Sequence, residues 1–121
     1  MYNEVSSWID NALSREVSSD VVAFCFNLYE DGDNQWSMEM IGAESFDLSD
    51  EDWPCHEVTE FGTREEPFAW VQHAEWNKIL DDMVSILKEY LEHGKFADIL
   101  KIKAGLGVGF VDGSIEILYH K

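Results

Sequence analysis

The residue types with chemical potential in this chain are the Cys55-His56 pair, the Asp31-Gly-Asp33 run, three alternating glycines near the C-terminus and 25 carboxylates. A cysteine beside a histidine suggests a nucleophile with its base, or two zinc ligands. Neighbouring side chains on an extended backbone point to opposite faces, which separates the thiol from the imidazole. A zinc site needs more Cys or His at ligand spacing. The chain has no Cys-x-x-Cys, and His73, His93 and His120 are scattered. Asp31-Gly-Asp33-Asn34-Gln35 begins like a calcium loop, but the sixth position is Trp36 and the twelfth is Gly42, where glycine and glutamate are needed. A turn is expected instead. Gly105-Leu-Gly107-Val-Gly109 lacks both the strand-to-helix setting and the lysine of a phosphate loop. It reads as a strand with one face lying close to another element. No two carboxylates are singled out by spacing for acid–base work. The expectation is a non-enzymatic protein without metal or cofactor.

What remains is the acidic stretch Glu44-Ser-Phe-Asp-Leu-Ser-Asp-Glu-Asp-Trp-Pro-Cys-His-Glu57. It sets six carboxylates (Glu44, Asp47, Asp50, Glu51, Asp52, Glu57) around Phe46 and Trp53 and has no Lys or Arg. Residues 30–66 hold thirteen acidic residues against one base, Arg64, and so carry −12 of the chain's net charge of −17. A purely solvated loop has no need of large aromatics between its carboxylates. Trp53 has no periodic apolar neighbours, which leaves it open between a core residue and an exposed anchor. Taken as exposed, it completes a partner surface of Glu44, Asp47, Asp50, Glu51, Asp52, Trp53 and Glu57, because aromatics amid charge are what interface hot spots are made of.

Composition narrows the partner. The net charge repels nucleic-acid backbones and anionic membranes, and it lies far beyond the roughly 2–8 that keeps a small domain soluble. A basic protein is the natural ligand. With 45% hydrophobic and 13% aromatic residues over 121 positions, the acidity belongs to a folded single domain (1–121) with an acidic insert at about 44–66. Neither a signal peptide nor a membrane-length apolar run is visible, and Cys25 and Cys55 show no disulfide-scaffold spacing, so a cytoplasmic location is expected.

The elements that must present this surface follow from periodicity. Val5, Trp8, Ile9, Ala12 and Leu13 draw one stripe on a helix over about 2–15. Residues 21–29 are apolar on both alternating faces, as in a strand covered on both sides. With the alternating run 36–42 they form a hairpin across residues 21–42. One further strand is expected between 58 and 72, preferably 68–72. From Trp76 to 93 a long helix carries Trp76, Ile79, Leu80, Met83, Val84, Leu87, Tyr90 and Leu91 on one face, and Gly94 stands where a C-cap favours positive φ. A short helix over 95–100 follows. Asp112-Gly113 between two β runs marks a C-terminal hairpin. Trp8, Trp36, Trp76, Tyr90 and Cys25 are assigned to the core. The fold class is α+β: a mostly antiparallel sheet with the N-terminal helix and a long helix packed on one face, closed by a C-terminal β-hairpin.

Phe26-Asn-Leu-Tyr-Glu30, Trp36-Ser-Met-Glu-Met-Ile-Gly42, Phe46-Asp47, Asp50-Glu-Asp-Trp-Pro-Cys55 and Gly109-Phe-Val-Asp-Gly113 together give a whole-chain pattern that resembles the small acidic immunity proteins encoded beside bacterial polymorphic or contact-dependent toxins. The resemblance implies a non-enzymatic cytosolic protein that binds one cognate toxin domain, such as a basic nuclease, and blocks it. It transfers no particular interface residue. The rival classes are an acidic adaptor or nucleic-acid mimic, and a small ligand-binding domain or enzyme with its pocket between sheet and long helix.

Overall fold

The two-faced apolar run becomes the central strand of the sheet. In the computed structural model, which describes residues 1–121 except for the side chain of Glu60, β1 spans Ala23–Gly32 and β2 spans Gln35–Ala43. They pair antiparallel from Ala23↔Ala43 to Gly32↔Gln35. The two residues between them, Asp33 and Asn34, have φ of 53° and 62°, after Gly32 at 90°. Glycine and short Asx side chains tolerate this left-handed region, so Asp33 sits in a tight hairpin turn and Asp31 in the strand end that leads into it.

β3 (Glu57–Gly62) and β4 (Phe68–Val71) both pair antiparallel with β2, β3 beside Ile41–Ala43 and β4 beside Gln35–Met38. One strand was expected over this region. Two short ones form because β2 is long enough to carry both on a single edge. β5 (Gly105–Phe110) runs parallel to β1 on its other side, and β6 (Glu116–His120) returns antiparallel along β5. The order is β3-β2-β1-β5-β6, with β4 also on β2. Every pairing except β1–β5 is antiparallel, and the chain is α+β as its pattern predicts.

Three helices cover one face: α1 (Tyr2–Leu13), α2 (Trp76–His93) and α3 (Ala97–Ile102). Val5, Ile9, Ala12 and Leu13 of α1 and Met83, Leu87, Tyr90 and Leu91 of α2 meet Phe24, Phe26 and Leu28 of β1 and Met38 and Met40 of β2 in one buried cluster. These side chains fill most of the space between sheet and long helix, where a ligand pocket was one alternative, and an open groove remains at the Trp76 end. Trp8 is half-buried beside them, its indole N–H donating to the Glu66 carbonyl at 2.8 Å. No helix among the described residues is long and apolar enough to cross a membrane.

Two helical expectations need correction. Gly94 is not left-handed: its φ is −68° in extended backbone. Its lack of a side chain matters for a different reason, since a Cβ there would lie 2.5 Å from the Tyr90 ring. The Tyr90 hydroxyl donates to Asp10 Oδ1 at 2.6 Å and accepts from the Phe96 N–H at 3.2 Å, joining α1, α2 and the start of α3. Burial, reinforced by the bond to Asp10, raises the pKa of this phenol. Trp76, assigned to the core, is 57% exposed. It continues the apolar stripe of α2, but as the first residue of the helix it lies at the edge of the surface that the stripe packs against.

Candidate functional site

The opposite face of the sheet holds the acidic insert. Phe46 and Trp53 turn inward and pack with Ala23, Cys25, Ile41, Ala43, Ile115 and Ile117 in a second apolar cluster. Their rings meet edge to face at 4.9 Å. The alternating glycines of β5 make room for them. A Cβ on Gly105 would collide with the Phe46 ring, and one on Gly107 would lie 3.1 Å from the Trp53 indole and 2.7 Å from Ile115. The glycine run therefore serves packing, as its strand reading expected.

Between these anchors the backbone is a series of tight turns. Glu44 N–H donates to the His56 carbonyl at 2.8 Å, closing the base of the insert. The Asp47 carboxylate accepts from the Ser49 N–H (2.9 Å) and hydroxyl (2.7 Å), and Asp50 accepts from the Asp52 N–H at 2.9 Å. The bonds from Ser49 hold the Asp47 carboxyl below the ordinary range. Aspartates here fold the loop by capping their own turns as well as charging it. Trp53-Pro54-Cys55 then forms a single 3-10 turn, where proline at the start of the turn lacks only an N–H that would have no partner.

The predicted partner residues are thus divided by the fold. Glu44, Asp47, Asp50, Glu51 and Asp52 are exposed. Trp53 is 2% exposed, so it cannot act as a surface anchor and instead fastens the insert from below. Glu57 is half-buried and accepts both a 2.9 Å and a 3.0 Å bond from Arg64. Cys55 and His56 are both exposed, and Cys25 is buried, where desolvation first and the Glu39 charge second push its thiol up to about 12.

Beside the insert, the same sheet face carries a polar cluster that the sequence reading did not single out. Glu39, 4% exposed, accepts from Tyr29 Oη at 2.8 Å, from Asn27 Nδ2 at 3.2 Å and from Arg64 Nε at 3.2 Å. Burial works to raise the Glu39 pKa, but the bonds from Arg64, Tyr29 and Asn27 outweigh it and hold the carboxyl below its usual value. Burial and the bond to Glu39 move Tyr29 the other way, to about 12. Arg64 spans Glu39 and Glu57, and the two carboxylates raise its pKa. The strand alternation and the one base in an otherwise acidic window were the signals for this cluster: Asn27 and Glu39 are directly paired in register. With every polar side chain engaged, its chemistry is that of a structural ion-pair network.

A scan against protein-family models matched none, and searches of curated proteins and of solved structures found no significant match.

Two outcomes follow for stability. Trp53→Ala should lower the unfolding free energy by about 3–5 kcal/mol in urea, whereas the Asp50→Lys, Glu51→Lys, Asp52→Lys triple variant should change it by less than about 1 kcal/mol. Equal losses would mean that the turns, not the indole, hold the insert. Glu39 has a pH signature. Because its folded pKa is depressed, its stabilisation is complete above the usual carboxylate value of 4.5 and is lost as pH falls through the folded value. The stability gap between the natural protein and Glu39→Gln should therefore be widest near neutrality and shrink below about pH 4. A gap that does not vary with pH between 3 and 7, followed by chemical denaturation, would remove the ion-pair account.

Proposed function

We propose that this chain is a binding protein that neutralises a basic protein partner, in the manner of the immunity proteins its sequence resembles. The observation that carries the reading is the outward row Glu44, Asp47, Asp50, Glu51 and Asp52, all exposed on a stretch, residues 44–57, that holds no Lys or Arg. Its backbone is tied by turn bonds and its aromatics are buried beneath. A set of fixed charges loses little conformational freedom on binding, unlike a floppy acidic tail. A toxin nuclease domain fits as partner, because enzymes that bind phosphates present positive surfaces, and the same surfaces attract a carboxylate row.

In this mechanism the carboxylates act first on encounter. Long-range attraction raises the association rate toward 10⁸–10⁹ M⁻¹s⁻¹ at low salt, and short-range contacts then set the dissociation rate. The experiment is co-expression with any basic protein encoded next to it, followed by co-purification and stopped-flow association. The Asp50→Lys, Glu51→Lys, Asp52→Lys variant should associate about tenfold or more slowly at low ionic strength, with a flatter salt dependence. Unchanged association at low salt would make the insert a solvated cover and move the interface elsewhere.

A further inference from the structure

At the carboxyl ends of β1 and β5 the helical face of the sheet is left partly open. The Trp76 ring stands edge-on to Phe110 at 6.2 Å, and Phe110 in turn meets the buried Trp36 at 5.9 Å. Val111, 56% exposed, continues the apolar surface. With Leu28, Glu30 and Asp112 these residues line an open groove of about 480 Å³, within the size range of binding pockets. Trp76 and Val111 each leave more than half of their surface in water, and together with Phe110 they form a contiguous apolar surface.

The charge around the groove is one-sided. Glu30 and Asp112 are on its rim, and among the described residues neither side chain makes a hydrogen bond or ion pair. Asp31 lies at the end of β1, Asp33 in the adjoining β1–β2 turn, and Glu75 precedes α2. Lys78, on the first turn of α2 with Trp76, is held by Asp82 at 2.7 Å. Lys95, Lys101 and Lys103 follow the far end of the 18-residue α2, about 27 Å along its axis. Lys121 is at that end too, its N–H bonded to the Ala104 carbonyl just before β5. The groove thus offers an apolar floor with unneutralised carboxylates at its lip.

We propose that the Trp76–Phe110–Val111 groove, rimmed by Glu30 and Asp112, seats an apolar side chain flanked by arginine or lysine on a basic protein partner. An aliphatic or aromatic side chain would displace water from Trp76, Phe110 and Val111. The flanking cations would reach the two carboxylates, and a guanidinium can also stack on the free face of Trp76. Exposed aromatics inside a polar rim are the usual composition of an interface hot spot. A second copy of this chain is a poor occupant, because it would bring another net charge of −17 against the same rim. The proposal rests on the reading of a basic partner but supplies the desolvated anchor that Trp53, being buried, cannot provide.

The test is an NMR titration of the ¹⁵N-labelled protein with two pentapeptides of equal charge, Arg-Leu-Arg-Leu-Arg and Arg-Ser-Arg-Ser-Arg. The leucine peptide should shift the Trp76 indole N–H and the amides of Glu30 and residues 111–113, and the serine peptide should shift them far less. Trp76→Ala should weaken the leucine peptide's binding about tenfold. The Glu30→Gln, Asp112→Asn pair should weaken it while leaving the remaining spectrum in place, which separates lost contacts from lost fold. Equal shifts by both peptides confined to residues 44–57 would overturn the groove and leave the basic-partner reading standing. No shift from either peptide up to about 1 mM would overturn both.

Discussion

The contact between two aromatic rings and the side-chain-free face of one strand holds the rest of this structure in place. Phe46 and Trp53 lie against Gly105 and Gly107 because β5 offers no Cβ there. Remove that fit and the second face of the sheet, with Cys25, Ile41 and Ala43, loses its cover. The direction of the carboxylates depends on the same contact. Between residues 44 and 53 the large rings point toward the sheet and the acids stay exposed, so hydrophobic burial does the orienting and charge occupies whatever surface remains. An acidic segment that would disorder on composition alone is thereby held as a shaped surface.

Crowding so much negative charge on a small sheet opposes folding through self-repulsion. The structure answers in two ways. Most carboxylates stay in water, where screening is strong. Among the described residues the one taken deep, Glu39, is surrounded by donors from Asn27, Tyr29 and Arg64. Such a buried carboxylate is tolerable only while each donor is present, since an unpaired one would cost several kcal/mol. Arg64 links Glu39 on β2 with Glu57 on β3 and so fixes the strand that emerges from the insert. Ion pairing and ring packing thus hold the two sides of the same loop, and neither leaves the outer acids neutralised.

Much of the fold was legible because its signals are local. The stripe from Trp76 to Leu91 marks α2, and Asp33-Asn34 and Asp112-Gly113 mark the regions where two hairpins turn. The covered-on-both-sides pattern of β1 foretold an occupied second face. Local pattern left Trp53 open and put Trp76 in the core, and in both cases what decides the outcome is not local. Trp53 is buried by glycines more than fifty residues later, a pairing that no window of neighbours reveals. Trp76 satisfies the helical period, but periodicity does not say where the supporting sheet ends. Gly94 teaches the same lesson: the need for glycine was readable, but its cause is the Tyr90 ring rather than a left-handed cap.

The central claim is the orientation of the insert, with its indole inside and its acids outside. Solvent paramagnetic relaxation of the carbon-bound ring protons of the five tryptophans measures this directly, using a neutral, soluble gadolinium chelate. The Trp53 ring protons should relax as slowly as those of the buried Trp36, while those of Trp76 relax fastest. If Trp53 relaxes as fast as Trp76 in the folded protein, the insert is not fastened to the glycine face of β5, and the account of a preformed acidic surface is wrong.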